Sequence, residues 1–310
     1  MFIKPLLGSV CVSALLSTAA HSGEQMSVAE PEILKAETRF DLPPFDLGRI
    51  SFLQTGDMDF EGSDGDLSLT TYGFRSFFTE PIELAEGLVY IPMLSYYATS
   101  LNFDDADAFP LHDEDLHAVS LHSFFIKTFR NSPWFGTAWN RVEFATDYQS
   151  PGSDSLTFDG AIGVGYKFND NLSIALGGAV TGINGDVEFF PGINFDWKAT
   201  ENLRMGLYGP NFLATYTVTE KWNLSVRGEP TGGNWVFRDD DGKSRTIDLS
   251  SYGLGLYTEH NLYGNLWLTA GGGYTFGNEI ERRSNGGGNS ITSDLDGAPY
   301  MQIALGLRRW

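Results

Sequence analysis

Between residues 155 and 168 the chain alternates. Leu156, Phe158, Ile162, Val164, Tyr166 and Phe168 fall on one face, with Ser155, Thr157, Asp159, Ala161, Gly163, Gly165 and Lys167 on the other. A period of two is that of a β-strand whose faces meet different surroundings. The next segment repeats it, Leu172, Ile174, Leu176 and Val180 against Ser173, Ala175, Gly177 and Ala179, after the tight turn Asn169-Asp170-Asn171. Together they predict a hairpin with one apolar face and one small or polar face. Further hairpins are predicted through Ala199-Thr200-Glu201 and Thr219-Glu220-Lys221. Residues 66–79 are expected to pair with 87–99, 113–129 with 138–149, and 246–259 with 263–276 across Glu259 to Tyr263. With 47–55 first and 297–310 last this makes about fourteen strands, or twelve if Gly209-Pro210-Asn211 is not a link between two of them. An even count lets an antiparallel sheet close with both ends on one rim.

The polar face carries ionisable residues in mid-strand: Arg141, Glu143, Asp147, Asp159, Lys167, Glu188, Asp196, Arg204, Arg227, Glu229 and Arg308. In the dry core of a soluble sandwich each unpaired charge costs several kcal/mol; in a wetted lumen it costs little. The pattern therefore favours an all-β barrel turned inside out, with apolar residues facing lipid and these eleven lining the lumen. A soluble one-sided sheet with that face in solvent is the alternative. Rings near strand ends, at Tyr166, Phe168, Trp197, Trp222, Tyr274, Phe276, Tyr300 and Trp310, suit the two interfaces of a bilayer.

Connections alternate in length, short at 169–171, 199–201 and 219–221, and long at 56–66, 100–115, 230–245 and 277–296. Upstream of the strands, Lys4, an apolar run from Leu6 to Leu16 and the small residues Ser17 to Ala20 have the layout of a cleaved signal peptide over 1–20. The sole cysteine, Cys11, lies inside it, with Val10 where a lipoprotein signal needs a small residue. Residues 21–46, with Pro31, Pro43 and Pro44, read as an N-terminal extension, and 47–310 as the barrel. Composition adds an exclusion: 40 acidic against 20 basic residues give a net charge of −20, which repels a nucleic-acid backbone.

Signal peptide, cysteine-free mature chain, hairpins and the last strand Tyr300-Met301-Gln302-Ile303-Ala304-Leu305-Gly306-Leu307-Arg308-Arg309-Trp310 together resemble the outer-membrane β-barrel proteins of Gram-negative-type bacteria, including uncharacterised barrel families. The resemblance implies a transmembrane antiparallel barrel with short periplasmic turns and longer external loops, set in outer-membrane lipid. It also implies delivery by the barrel-assembly machinery, for which Trp310 stands as the terminal aromatic signal. Met301, Ile303, Leu305 and Leu307 lie on the opposite parity from Trp310, a departure that a bulge at Arg308-Arg309 would repair.

Candidate chemistry is sparse. Ser120 and His122 share a strand face, and outer-membrane lipid hydrolases use a Ser/His pair of that spacing with the order reversed. His112, Asp113, Glu114, Asp115 and His117 have the residue types of barrel proteases but no second cluster to face. The acidic loop Asp57, Asp59, Glu61, Asp64 and Asp66 has ligand-like spacing, yet Ser68 stands where an EF-hand needs its bidentate Glu. A second acidic loop holds Asp104, Asp105, Asp107, Asp113, Glu114 and Asp115. Gly271-Gly272-Gly273 and Gly286-Gly287-Gly288 open no helix, so neither is a phosphate loop; the first suits close backbone approach within a strand. The expectation is a non-enzymatic barrel without cofactor or tight metal site, at most binding divalent cations weakly at its loops. It would pass small hydrophilic solutes with a preference for cations. A non-conducting barrel that binds partners through its loops is the alternative.

Overall fold

The computed structural model describes residues 45–309 except 78, 80, 105–112, 150, 184–185, 240–241 and 285–289, and no side chains at 45, 182–188 or 309. The predicted signal peptide, the extension up to residue 44, Asp105, Asp107, His112, the glycine run 286–288 and Trp310 thus lie outside the described residues, as does the side chain of Glu188.

Eighteen strands are described: β1 (Phe45–Thr55), β2 (Met58–Asp59), β3 (Asp66–Phe77), β4 (Ile82–Ala85), β5 (Leu88–Asp104), β6 (Glu114–Thr128), β7 (Trp134–Thr146), β8 (Leu156–Asn169), β9 (Leu172–Ile183), β10 (Asp186–Lys198), β11 (Leu203–Tyr208), β12 (Asn211–Thr219), β13 (Trp222–Pro230), β14 (Gly233–Arg238), β15 (Ser244–Tyr263), β16 (Leu266–Ser284), β17 (Ile291–Leu295) and β18 (Pro299–Arg309). Fourteen of them form a closed antiparallel wall: β1, β3, β5 to β13, β15, β16 and β18, sealed by β1 against β18 from Phe45↔Arg309 to Thr55↔Tyr300. Gly209-Pro210 does link two wall strands, β11 and β12, which is why the count is fourteen and not twelve. Strands spaced about 4.8 Å and tilted about 40° place such a wall on the order of 14 Å from its axis.

Both described chain ends lie on one rim, here the terminal rim, which also carries the turns at 129–133, 170–171, 199–202, 220–221 and 264–265. The opposite, loop rim carries the long connections. Alternation sets the faces: Ile162 (70% exposed), Leu176, Phe189 and Leu256 project outward, while Ser95, Asp159, Ser225 and Glu259, all under 5% exposed, project inward. Apolar outside and polar inside inverts the soluble rule and matches a wall surrounded by lipid. The architecture is that of a transmembrane β-barrel.

Tyr300 corrects one expectation. It is not an interfacial ring but a buried inward one, its hydroxyl 2.9 Å from that of Tyr257, as its parity opposite Met301 requires. The register irregularity near the end of β18 lies in its partner, between Asp46 and Gly48 of β1. Glycines 271–273 sit where neighbouring backbone leaves no room: a Cβ on Gly272 would stand 2.5 Å from the Tyr300 carbonyl oxygen.

The loop rim is uneven. β13 bends at Thr231-Gly232 into β14, which stays paired with β15 (Gly233↔Leu249 to Arg238↔Ser244). At the same level β15 and β16 shift register between Ser250 and Tyr252, opposite Gly277, whose φ of +62° suits a glycine bulge. Above that level the chain has left β12, and β14 meets β7 as a parallel neighbour at Val236↔Thr146. On the other side β17 pairs with β16, β2 with β3, and the bridge Phe60↔Leu295 joins them. Beyond the bulges, therefore, β2, β3, β5, β6, β7, β14, β15, β16 and β17 form a second, smaller ring that bypasses β8 to β13. It is filled by Leu67, Leu101, Leu116, Phe237, Ile247 and Ile280, all fully buried, with Met58, Phe60, Trp235 and Leu249. This dome is an apolar core seated on an interior that carries charged pairs and a second, smaller apolar cluster of Ile91, Met93, Phe124, Ile126 and Trp139.

Candidate functional site

The interior of the wall is the candidate site, and its charged groups fall into pairs set by cross-strand register. On β6 to β8, Arg141 stands between His122 and Asp159. Its guanidinium reaches Asp159 at 2.5 Å and Glu143 at 3.2 Å, and the Ser120 hydroxyl donates to Glu143 at 2.5 Å. On β10 and β11, Asp196 accepts from Arg204 Nε at 2.8 Å and from the Tyr208 hydroxyl at 3.2 Å. Near the terminal rim a longer chain of charges crosses four strands. Arg49 donates to Asp46 (3.4 Å) and Gln302 (3.3 Å), Arg308 donates to Asp46 (3.1 Å) and forms an ion pair with Glu259 (2.8 Å), and Glu259 accepts from Arg227 and Ser225. Arg308 lies over the Trp267 ring and Arg227 over that of Tyr257, at 4.6 and 4.8 Å. Each cation is thereby supported by an aromatic ring.

The remaining residues read from sequence have other places. Glu229 is on the Arg227 face, two residues nearer the loop rim. Lys167 sits at the terminal rim against Asp170, 2.9 Å away. Asp147 stands past the end of β7, so it does not line the wall. Its carboxylate accepts the main-chain N–H groups of Arg238 and Gln149, both at 2.8 Å, and its own N–H donates to the Val236 carbonyl at 3.1 Å. It ties β14 to β7. Asp46, Arg49 and Glu259 were not singled out in the sequence. For Glu259 the signal was present: Gly253, Gly255, Tyr257 and Glu259 continue one parity against Leu254 and Leu256, because β15 runs on to Tyr263.

No hydrolytic pair is formed. His122 Nε2 is 3.1 Å from the hydroxyl of Ser95, Ser120 is turned to Glu143, and all three are inside the wall, away from lipid. His117 is bonded through Nδ1 to the Tyr96 hydroxyl at 2.9 Å and stacked on Tyr148. Asp113 and Asp115 accept from Phe103 N and Ser100 Oγ, while Glu114 begins β6. In the first acidic loop Asp57, Asp59, Glu61 and Asp64 are exposed and Asp66 opens β3. Among the described residues no three His, Cys, Asp or Glu side chains converge as a metal site.

Among solved structures the chain is similar to an outer membrane channel from Pseudomonas putida F1 (10% identity, 90% of this chain and 99% of that chain, TM-score 0.45). It is also similar to the translocator domain of the autotransporter NalP from Neisseria meningitidis (11%, 85% and 89%, 0.35) and to a triple mutant of the Rhodopseudomonas blastica porin (11%, 84% and 99%, 0.26). No curated protein matches its sequence. A family match runs over residues 91–307, from β5 into the last strand, and the chain belongs to that family, described as "Domain of unknown function (DUF6268)".

Proposed function

We propose that the protein is an outer-membrane barrel that gives small hydrophilic solutes a passive route, with the terminal rim in the periplasm and the loop rim outside. The observation that carries this reading is the inner face below the dome. Its guanidinium and carboxylate groups are paired along the wall, while lipid-compatible residues such as Ile162 and Leu256 clothe the outside. A wall on the order of 14 Å in radius leaves side chains of arginine length short of the axis, so the pairs do not by themselves close it. Exposed Asp57, Asp59, Glu61, Asp64 and Asp104 at the loop rim concentrate cations there, supporting a cation preference. We also propose that residues 1–20 are a cleaved signal peptide and that Trp310 serves the barrel-assembly machinery. Refolded protein in planar bilayers tests the function: current steps of reproducible size with a cation-directed reversal potential are expected, and a silent barrel rejects it. A second reading, a non-conducting barrel that binds through its loops, is favoured by one observation, the dry dome over the lumen.

A further inference from the structure

One inward guanidinium stands outside the pairing. Arg75 follows the outward, exposed Tyr72 and Phe74 at the alternate parity, two residues before β3 ends at the terminal rim, and it is itself partly exposed. Arg49, Arg141, Arg204, Arg227 and Arg308 each contact a carboxylate. Among the described residues Arg75 contacts none, and its Nε is covered by protein without an acceptor. Register sharpens the deficit. Arg75 is the direct cross-strand partner of Arg49, two like charges with Cβ atoms about 5 Å apart, an arrangement that destabilises a sheet. The carboxylates nearby are already committed: Asp46 is shared by Arg49 and Arg308, and Glu259 by Arg227 and Arg308. Glu229, also inward, forms no ion pair with Arg75. On its other side Arg75 is in register with Ser95, whose hydroxyl is 3.1 Å from His122 Nε2, and the second ring nitrogen of that histidine is buried without a partner. The row Arg49, Arg75 and Ser95 is therefore a basic, polar patch with no carboxylate to spare.

We propose that this patch binds the carboxylate group of a small solute that enters at the terminal rim, below the dome. Arg49 is partly met by Asp46 and Gln302, at 3.4 and 3.3 Å, so about one positive charge is left over and a monoanion suits it better than a phosphate dianion. A planar carboxylate also matches the fork of a guanidinium. It meets Arg75 at the Nη end, since Nε is covered, and Arg49 across the strand pair supports the same charge. Carried on a net-neutral solute, such a group is compatible with the acidic loop rim.

The inference deepens the channel reading by naming a group on the solute, and its test reads binding without current. Refolded protein in detergent micelles is titrated with sodium propionate against sodium chloride at matched ionic strength. The denaturation midpoint is followed, because a ligand that binds only the folded barrel raises it. A saturable rise is expected for the wild type and for Arg130→Gln, a control in the exposed turn at 129–133. Arg75→Gln should need at least about tenfold more propionate for the same rise, with Arg75→Lys in between. Without propionate, Arg75→Gln should be no less stable than the wild type, because it relieves the like-charge pair. A lower midpoint or a failure to fold would make Arg75 a structural residue and overturn the site. So would a wild type that does not respond, a rise that Arg75→Gln retains in full, or saturation by inorganic phosphate at lower concentration than propionate. A silent barrel in bilayers rejects the channel and leaves the site, whereas a conducting barrel indifferent to propionate loses the site alone.

Discussion

The two ends of the barrel solve opposite problems with the same strands. Toward the terminal rim, the inward parity of β1, β13, β15 and β18 delivers Arg49, Arg227, Glu259 and Arg308, each held by a partner of opposite charge. Beyond the bulge at Gly277 the inward parity of β15 and β16 delivers Ile247, Leu249 and Ile280, which pack without a polar atom among them. The lower half is mixed, since the inward faces of β5 to β9 also carry an apolar cluster of Ile91, Met93, Phe124, Ile126 and Trp139. Drawing β14 across to β7 shortens the circumference, and there apolar side chains meet around the whole ring. The difference predicts that substitutions at apolar positions of the dome and at polar positions below it have unequal effects.

The largest effect is expected inside the dome. Phe237→Ala removes a fully buried ring from a core that has little freedom to collapse, at a cost of about 3–5 kcal/mol. In denaturant titrations of the refolded barrel the midpoint should fall accordingly, whereas the inward-facing Thr269→Ala, in the lower half, should barely move it. Equal shifts would mean that the two interiors are alike.

Next comes the outer surface. Ile162→Arg, halfway along β8 and 70% exposed, puts a charge against lipid for about 2–4 kcal/mol. Ser250→Arg, on the outside of the dome among the polar outward residues Asp248, Glu279 and Glu281, should be close to neutral. If both are tolerated, the wall is not in a membrane; if both are damaging, the dome does not rise above it. The latch ranks third. Asp147→Ala leaves the Arg238 N–H without its acceptor, an effect of about 1–3 kcal/mol, and should raise hydrogen exchange in residues 233–238 without altering β8 to β12.

Much of this was legible in the sequence, because a strand's two faces are written residue by residue. β8 and β9, the three tight turns and the fourteen-strand closure follow from parity and turn chemistry alone. The dome does not. Its closure depends on one parallel contact between β7 and β14, which lie on either side of the stretch β8 to β13, and such a contact has no local signature. β14 and β17 lay within segments read as external loops. The clue available was the run Trp235-Val236-Phe237, three consecutive large apolar residues that a solvated loop has no reason to carry. Asp147 was misplaced for the same reason: parity put it on the inner face, but its strand ends one residue earlier and its partner is the distant β14.

The smallest effect on stability separates the two interiors most sharply by function. Glu259→Gln leaves Arg227 and Arg308 without the carboxylate they share near the terminal rim. In a dry interior, breaking such a buried pair costs about 3–5 kcal/mol; where water reaches the pair the loss is under about 1 kcal/mol. Both side chains of the Arg308–Glu259 pair are only 4% exposed, but a glutamine oxygen still accepts from the guanidinium groups, Asp46 still pairs with Arg308, and two aromatic rings lie against the cations, so a loss near the lower value is expected. The variant should fold, and its denaturation midpoint should stay near that of the wild type. What should change is the current: with one carboxylate gone and both cations kept, the inner wall becomes more positive, and the reversal potential in a salt gradient should move toward anions. The movement should be largest at low salt, where screening is weakest. A folded variant with an unchanged reversal potential would mean that ions do not pass this part of the wall, and a variant that fails to fold would mean that the lower interior is as dry as the dome.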